Sequence, residues 1–337
     1  MLQGEKTVLK RRFSWMVLAL VAALLAAGVW ASRTGRAAVR FEKPVTIVVT
    51  FPPGGGTDLL ARRLGAAMQE RLGQTVVVEN RPGASGNIGA RYVAEAAADG
   101  TTLLMVNSSF AINPGVYQHL DFDPRKDFAA VVNAGTIASV LVVPQASGYH
   151  SLADLARDLQ GQHGALLPFA SCGNGTPQHL AGEMMARALD LRLQHVPYKG
   201  CGPAITDVAS GQVPLGMVTA SSAAPMIEAG RVRAIAVTSV HRLAQLPGVA
   251  TVAEQGAPGF EAQQWHGLLA PAATPVPVIE HLHAVLAAIL RDPAMQQSLQ
   301  AQGYVQQEQS PQQFGRLIAS DIDRYADLSR QLGLRVD

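Results

Sequence analysis

Residues 45–58 have the sequence VTIVVTFPPGGGTD, an apolar run followed by a glycine-rich loop. The first five residues are all β-branched, which is typical of a buried strand. Beyond the loop, Leu60 and Leu64 lie at helical spacing, and Thr57 or Asp58 is expected to cap the start of that helix. A strand, a short loop and a helix in this order predict an α/β fold with a parallel sheet.

The same alternation continues along the chain and restarts after residue 140. The chain from about residue 276 is predicted to be helical, and those helices need a sheet to cover. We therefore predict a discontinuous first domain at residues 38–138 and 261–337, and a second domain at residues 139–260. Further strands are predicted at residues 75–79, 101–107, 140–143, 166–170, 194–197, 215–218 and 234–238, with helices at 152–159, 177–189, 203–210 and 222–229.

Composition indicates a globular protein and argues against a nucleic-acid partner. The 337 residues are 48% hydrophobic and 15% charged, which suits a large core and excludes disorder. The totals of 27 basic and 25 acidic residues include six basic residues and one acid within residues 1–37. The remainder holds 21 basic and 24 acidic residues, a net charge of −3, so it has no electrostatic reason to bind polyanions.

Residues 1–37 have the pattern of a secretory signal peptide. The basic run Lys10-Arg11-Arg12 precedes an uncharged, mostly apolar stretch at residues 15–31, and small residues follow. This order predicts export and cleavage, and the family resemblance described below implies that the exported protein lies in the bacterial periplasm. Two alternatives stay open: an uncleaved membrane anchor, because the stretch is near the lower length for a span, and twin-arginine export.

Four loops follow predicted strands and precede predicted helices, where open α/β sheets bind their ligands. They are residues 52–58, 80–89, 171–179 and 197–203. Glycines allow close approach of backbone N–H groups, and a helix N-terminus favours an anion. The first loop is not a phosphate loop, because it lacks the Walker lysine and the G-x-G-x-x-G spacing.

Each loop also has a purely structural interpretation. The first and second can be glycine turns with helix caps, and His179 in the third can be a capping or packing residue. Lys199 in the fourth can pair with a carboxylate or lie in solvent.

No nucleophile, base and orienting group come together, and neither G-x-S-x-G nor H-E-x-x-H occurs, so we predict no catalytic residue, no metal and no cofactor.

Cys172 and Cys201 are the only two cysteines, too few for a convincing metal site. Both lie on loops that follow strands of the predicted second domain. If those strands are neighbours, their ends are about 5 Å apart, which is compatible with a disulfide in an oxidising compartment. The alternative is a pair of buried thiols that act as small apolar residues.

Seven segments in this order resemble the Bug family, the TctC-type receptors of tripartite tricarboxylate transporters. The resemblance runs from about Lys43 to the C-terminus. The segments are KPVTIVVTFPPGGGTDLLAR, VENRPGASGNIGA, DGTTLLM, GNGTPQHLAGE, HVPYKGCGPAITD, GRVRAIAVTS and GLLAPAATP.

The resemblance implies a two-domain α/β periplasmic-binding-protein fold of the Venus-flytrap type, similar to type II, with the ligand held between the domains by backbone N–H groups and waters. Its ligands would be amino acids, dicarboxylates, tricarboxylates or aromatic acids. Cys172, Cys201, Thr219 and His266 depart from the usual pattern, which puts the ligand's identity in doubt. The implied ligand contacts are Gly55, Gly56, Thr57, Asp58, Asn87, Ser108, Ser171, Gly175, Thr176, His179, Lys199 and Thr219.

The leading hypothesis is a monomeric receptor that captures a small organic anion for inner-membrane transporter components. One alternative is a periplasmic sensor that presents its ligand to a signalling protein. Another is a periplasmic hydrolase or isomerase on the same scaffold, which would need an acid–base pair in the cleft.

Overall fold

A ten-stranded sheet carries the fold in a computed structural model that describes residues 41–161 and 166–336. The predicted signal peptide lies outside these residues. The strands are β1 (Val45–Val49), β2 (Val76–Asn80), β3 (Thr102–Asn107), β4 (Phe128–Pro144), β5 (Leu167–Ser171), β6 (Leu193–Pro197), β7 (Leu215–Thr219), β8 (Val232–Val237), β9 (Gln263–Pro271) and β10 (Tyr304–Val305). The main order is β2-β1-β3-β9-β4-β7-β5-β6, and β8 and β10 also pair with β4.

Ten α-helices connect and flank these strands. They are α1 (Gly56–Leu72), α2 (Asn87–Ala94), α3 (Ser109–Val116), α4 (Leu152–Gly161), α5 (Pro177–Ala188), α6 (Cys201–Ala209), α7 (Ala220–Glu228), α8 (Val276–Leu290), α9 (Pro293–Ala301) and α10 (Pro311–Leu332) among the described residues. A single 3-10 turn, Ala84–Gly86, precedes α2. None of the helices in the described ranges is both long and apolar enough to span a bilayer.

Side chains of the central strands are buried on both faces of the sheet. In β3, Leu103 and Met105 pack into the cluster that contains residues of α1 and α8, whereas Leu104 and Val106 pack into the cluster of α3 and α10. Successive residues of a strand point to opposite faces, so a strand that is apolar at every position needs cover on both sides. The continuous apolar strands of the sequence therefore demand the helical layers that flank them.

The parallel pairs confirm the predicted strand–helix–strand units. β1 pairs in parallel with β2 and β3, and β5 pairs in parallel with β6 and β7. The centre of the sheet differs, because β9 runs antiparallel to β3 and β4, and β4 runs antiparallel to β7 and β8.

The central strand β4 is longer than predicted, and β9 was not predicted. β4 has 17 residues, of which the predicted strand at 140–143 is only one part. Its first part contains Ala, Gly and Asn and is interrupted by register shifts near Val131 and Ala134, so it lacks the regular alternation of a strand. Gly135 has a φ of +137°, a backbone conformation that favours glycine. Pairing with distant β9 makes this segment a strand.

The closing helix α10 docks on the sheet through an apolar stripe. Phe314, Ile318, Ile322 and Tyr325 are buried at helical spacing. Ser310 and Gln313 form a capping box that starts the helix.

Gly115 provides a test of this docking. A Cβ added at Gly115 would lie 2.7 Å from the backbone Cα of Ala326 in α10, so Gly115→Ala must push α10 away from α3. We expect a loss of about 1–3 kcal/mol in the free energy of unfolding, measured by chemical denaturation.

The matched control is Gly315→Ala, since Gly315 is also helical but its added Cβ would meet only Ala130 Cβ at 3.8 Å. This variant should be stabilised by about 0.5–1 kcal/mol through helix propensity. Equal effects of the two substitutions would contradict the close α3–α10 approach.

Candidate ligand site

A small cavity lies where the loops after several strands meet. It encloses about 20 Å³, which is enough for one water molecule. The lining residues come from the loops after β1, β5 and β6 and from the ends of β3 and β7. They are Phe51, Pro52, Pro53, Gly55, Gly56, Thr57, Asn107, Cys172, Gln178, Gly200, Cys201, Gly202, Pro203 and Thr219.

Four helices begin at this cavity, and each contributes at least its cap or a first-turn residue to the lining. α1 contributes Gly56, α5 contributes Gln178, and α6 contributes Cys201. Thr219 is the N-cap of α7, where its Oγ1 accepts a hydrogen bond from the N–H of Ser222 at 3.3 Å. The first N–H groups of a helix have no partner inside it and carry the positive end of the helix dipole.

No charged side chain is present among the lining residues. The electrostatic character of the cavity is therefore set by the four helix ends, by loop N–H groups and by neutral side chains. Such an arrangement favours a bound anion, because each helix N-terminus carries about half a positive charge. The cavity is therefore a candidate site for an anion held by backbone dipoles.

A hydrogen-bonded pair, Thr57 and His266, lies behind the cavity. Thr57 Oγ1 is 3.1 Å from His266 Nε2, and Asn107 Nδ2 donates to Thr57 Oγ1 at 3.4 Å. Burial lowers the pKa of the His266 imidazole from 6.5 to about 3, so the ring is neutral at physiological pH. The pair holds the Thr57 side chain against β9 without placing a charge beside the cavity.

Asp58 does not line the cavity. Its side chain is 2% exposed and accepts hydrogen bonds from the Gly54 N–H at 2.9 Å, Asn80 Nδ2 at 2.8 Å and Arg62 Nε at 3.0 Å. Burial alone would raise the pKa of this carboxyl, but the hydrogen bonds from Arg62, Gly54 and Asn80 outweigh burial and leave the pKa below its usual value. Asp58 thus holds the glycine loop in shape.

The predicted capping of α1 by Thr57 or Asp58 is wrong. The N-cap is Gly55, which has no side chain to offer, and both residues lie within the first turn of the helix. The Asp58 carboxylate instead reaches back to the N–H of Gly54. This leaves the first N–H groups of α1 free of a side-chain cap and available to a ligand.

A disulfide joins Cys172 and Cys201, whose Cα atoms are 4.3 Å apart. The strands before the two cysteines, β5 and β6, are neighbours in the sheet, and Ser171 is in register with Pro197. Both cysteines line the cavity. The bond therefore ties together the loops that start α5 and α6.

Ser171 and His179 belong to a buried cluster with His195. The two imidazole rings stack with centroids 3.7 Å apart, and Ser171 Oγ is 2.6 Å from His195 Nε2. Burial lowers the pKa of His179 to about 4, and burial together with the neighbouring His179 lowers the pKa of His195 to about 3. The Gly175 N–H donates to His179 Nδ1 at 3.2 Å, which fits a neutral ring.

The Ser171–His195 contact brings a hydroxyl and a base together, but it cannot act on a substrate. Ser171 is 0% exposed, and its Oγ also accepts a hydrogen bond from the Gly173 N–H at 3.1 Å. A nucleophile must reach the bond that it attacks, and no substrate reaches this hydroxyl. The cluster stiffens the loop that carries Cys172.

The other predicted contacts are dispersed. Of the twelve residues, Gly55, Gly56, Thr57 and Thr219 line the cavity. Thr176 is the N-cap of α5, with its Oγ1 accepting from the His179 N–H at 3.3 Å.

Asn87, Ser108, Gly175 and Lys199 also lie away from the cavity lining. Asn87 borders a separate surface groove and accepts a hydrogen bond from Asn113. Ser108 pairs with the backbone of Trp265, Gly175 packs near Asn113, and Lys199 is exposed.

Two lining side chains, Asn107 and Gln178, were not found from the sequence. Asn107 ends β3, so the rule that ligands bind at the carboxyl ends of strands could have identified it. Gln178 is 1% exposed, and its Nε2 donates to Ser139 Oγ at 3.2 Å. Its neighbours Thr176 and Pro177 mark the helix start, yet nothing local distinguishes Gln178 itself. Across the described ranges, no group of three His, Cys, Asp or Glu side chains is placed to hold a metal ion.

Comparison with known proteins identifies a family and several similar structures. The sequence model of the family described as "Tripartite tricarboxylate transporter family receptor" matches residues 60–334. A solved structure of an R. palustris protein with adipate is 33% identical, with a TM-score of 0.84 over 88% of this chain and 99% of that one.

Two further solved structures are similar over most of their length. The periplasmic binding protein BugD is 33% identical, with a TM-score of 0.82 over 88% of this chain and 100% of that one. MatC from Rhodopseudomonas palustris with bound malate is 30% identical, with a TM-score of 0.79 over 85% of this chain and 99% of that one. These neighbours are binding proteins, and two of them hold small dicarboxylates.

The buried imidazoles predict loss of stability in acid. The folded pKa of His179, about 4, lies below the ordinary value of 6.5, so the unfolded chain binds the proton first as the pH falls. The contribution of the neutral His179 ring to the free energy of unfolding is complete above about pH 7. It is lost as the pH falls from 6.5 to about 4. Replacing His179 by Gln should make the slope of unfolding free energy against pH shallower there, by up to about 1.4 kcal/mol per pH unit.

Denaturant unfolding of both proteins at half-unit pH intervals measures these slopes. At pH 8 the two differ only by lost packing, which serves as the internal control. Parallel curves between pH 6.5 and 4 would show that His179 does not titrate on unfolding in this range.

Asp58→Ala should destabilise the protein by about 2–3 kcal/mol, since it removes the hydrogen bonds that the buried carboxylate accepts from Gly54, Asn80 and Arg62. The control is Glu79→Ala, which breaks the exposed Glu79–Arg81 ion pair and should cost no more than about 1 kcal/mol. Thermal and denaturant unfolding compare the two. If Asp58→Ala lowers the free energy of unfolding no more than Glu79→Ala does, Asp58 has no role in shaping the glycine loop.

Proposed function

This chain belongs to the tripartite tricarboxylate transporter receptor family, a family of binding proteins and not of enzymes, and from that premise we propose that it captures a small carboxylate in the periplasm. The observation that carries the proposal is the convergence of four helix N-termini on a cavity without charged side chains. A carboxylate would accept hydrogen bonds from the free N–H groups of α1, α6 and α7. Gly55, Gly56, Thr57, Gln178 and Thr219 are the proposed contacts.

Ligand entry requires the cavity to widen, since about 20 Å³ is too small for an organic acid. We propose that two domains, residues 38–138 with 261–337 and residues 139–260, move apart. The pairing of β4 supports this division: residues up to Ala138 pair with β9, whereas those from Ser139 pair with β7 and β8. The chain from residue 41 onward packs as one compact unit, as expected if the two proposed domains are closed on each other.

Close contacts between the proposed domains support a closed form that excludes bulk water. A Cβ at Gly56 would collide with Ser221 Oγ of α7, and a Cβ at Gly200 would lie 3.1 Å from Pro52 Cδ. Ser85 Oγ also donates to the carbonyl oxygen of Asn174. Glycine at position 56 therefore lets the two helix N-termini approach a shared ligand.

The proposed location and partners follow from family membership. A periplasmic receptor delivers its ligand to inner-membrane transporter components, and the basic, apolar and small-residue segments within residues 1–37 fit export. Adipate and malate, which the two neighbouring proteins hold, are the first candidate ligands.

Isothermal titration calorimetry tests the ligand class. The panel pairs adipate with adipamide and malate with malamide, and adds tricarboxylates, aromatic acids and amino acids. We expect at least one acid to bind with a Kd in the micromolar range, about −8 kcal/mol, and its neutral amide to bind far more weakly. Equal binding of acid and amide, or binding of neutral compounds only, would contradict anion recognition.

Gly56→Ala tests the closed site. Its added methyl group meets Ser221, so the affinity for the best acid should fall about tenfold. Gly248→Ala is the matched control, because Gly248 lies outside the cavity lining and an added Cβ there has no neighbour within 4 Å, and the affinity should stay within about twofold. Ser221→Ala combined with Gly56→Ala should restore part of the loss, which a double-mutant cycle measures.

A further inference from the structure

The Cys172–Cys201 disulfide is part of the wall of the candidate ligand site. Both cysteines line the cavity, and they are only 4% and 9% exposed. Thr219 Oγ1, the cap of α7, is 4.0 Å from Cys201 Sγ. The bond therefore joins the loop before α5 to the first residue of α6, and it lies beside the cap of α7.

The disulfide also connects two loops whose shape depends on each other. Gly200, the N-cap of α6, donates its N–H to the carbonyl oxygen of Cys172 at 3.0 Å. Gly200 has a φ of +110° and Gly173 a φ of +132°, so both loops hold backbone conformations that favour glycine. The covalent bond restricts these loops to the arrangement in which the α6 N-terminus faces the cavity.

We propose that this disulfide is a positioning element that controls ligand affinity through its redox state. The inference rests on the proposed function, because it concerns the same carboxylate site. In the oxidised protein the two sulfurs form one compact wall and preorganise the loops that begin α5 and α6. Opening the bond lowers the affinity for the acid, and a bound acid protects the bond from reduction.

Reduction requires a dithiol. Two electrons and two protons pass from the dithiol to the sulfurs, the S–S bond breaks, two S–H bonds form, and the dithiol closes into its own disulfide. The two sulfurs then separate from bonding to van der Waals distance. Because the cavity has room for only one water molecule, the separated sulfurs occupy space that a ligand needs or push the loops apart.

Loss of the cross-link also raises the cost of ordering the site. A loop that is mobile before binding must give up that freedom when the ligand arrives, which weakens affinity. Reduction should therefore weaken binding about tenfold, which corresponds to 1.4 kcal/mol. Since binding and reduction are linked, saturating acid should shift the equilibrium for reduction toward the disulfide by the same factor. A bound acid that covers the disulfide should also slow its reduction.

Calorimetry of the full chain tests the proposal, with adipate, malate or whichever acid of the panel binds the oxidised protein most tightly. Titrations before and after treatment with dithiothreitol give the two affinities. The control is the double variant Cys172→Ala with Cys201→Ala, which should bind more weakly than the oxidised protein and be indifferent to dithiothreitol. If reduction changes the Kd by less than twofold, the redox control is refuted.

A second measurement separates a role in the site from a role in stability alone. The rate of reduction is followed by maleimide labelling, with and without saturating acid. The destabilised variant Gly115→Ala, whose substitution lies outside the cavity lining, should be reduced at the rate of the parent protein if the dithiol enters through the open site. Faster reduction of that variant, without protection by the acid, would show that only unfolding exposes the bond and would overturn the proposal.

The outcomes also distinguish this inference from the proposed function. If no acid binds the oxidised protein, the proposed function fails and the inference fails with it. If an acid binds equally well in both redox states, the receptor function stands and the redox control alone is lost.

Discussion

Four helices begin around one small space, and this constraint governs the rest of the site. Helix N-termini that converge repel one another through their positive dipole ends, and their first N–H groups lack partners within the helix. At α5 and α7, the hydroxyls of Thr176 and Thr219 accept hydrogen bonds from some of these N–H groups. α1 and α6 begin at glycines without side-chain caps. In the function that we propose, a bound carboxylate completes this arrangement.

The charged and titratable residues around the site support it without entering it. Asp58 ties down the glycine loop through Gly54, Asn80 and Arg62. Burial keeps the His266, His179 and His195 rings neutral by lowering their pKa values. A receptor that must release its ligand gains from this, because a buried cation would bind the acid more tightly but would carry a large desolvation cost when the site is empty.

The disulfide gives this chain a covalent constraint in the wall of the candidate ligand site. It fixes the distance between the loops after β5 and β6, neighbouring strands of the sheet. The glycine at position 56 plays a complementary part, since it allows α1 and α7 to come together at Ser221. The disulfide limits the motion of loops within the proposed second domain, and Gly56 permits close approach between the two proposed domains.

Local sequence was enough to predict the strand–loop–helix units, the loops that surround the cavity and the family, because these follow from periodicity, glycine loops and ordered motifs. Long-range pairing decided the rest. The first part of β4 and all of β9 become strands only against distant partners. Tertiary packing also turned Asp58, Ser171 and His179 inward while bringing Asn107 and Gln178 to the cavity. Side-chain direction depends on what surrounds a loop, and a linear pattern does not contain that information.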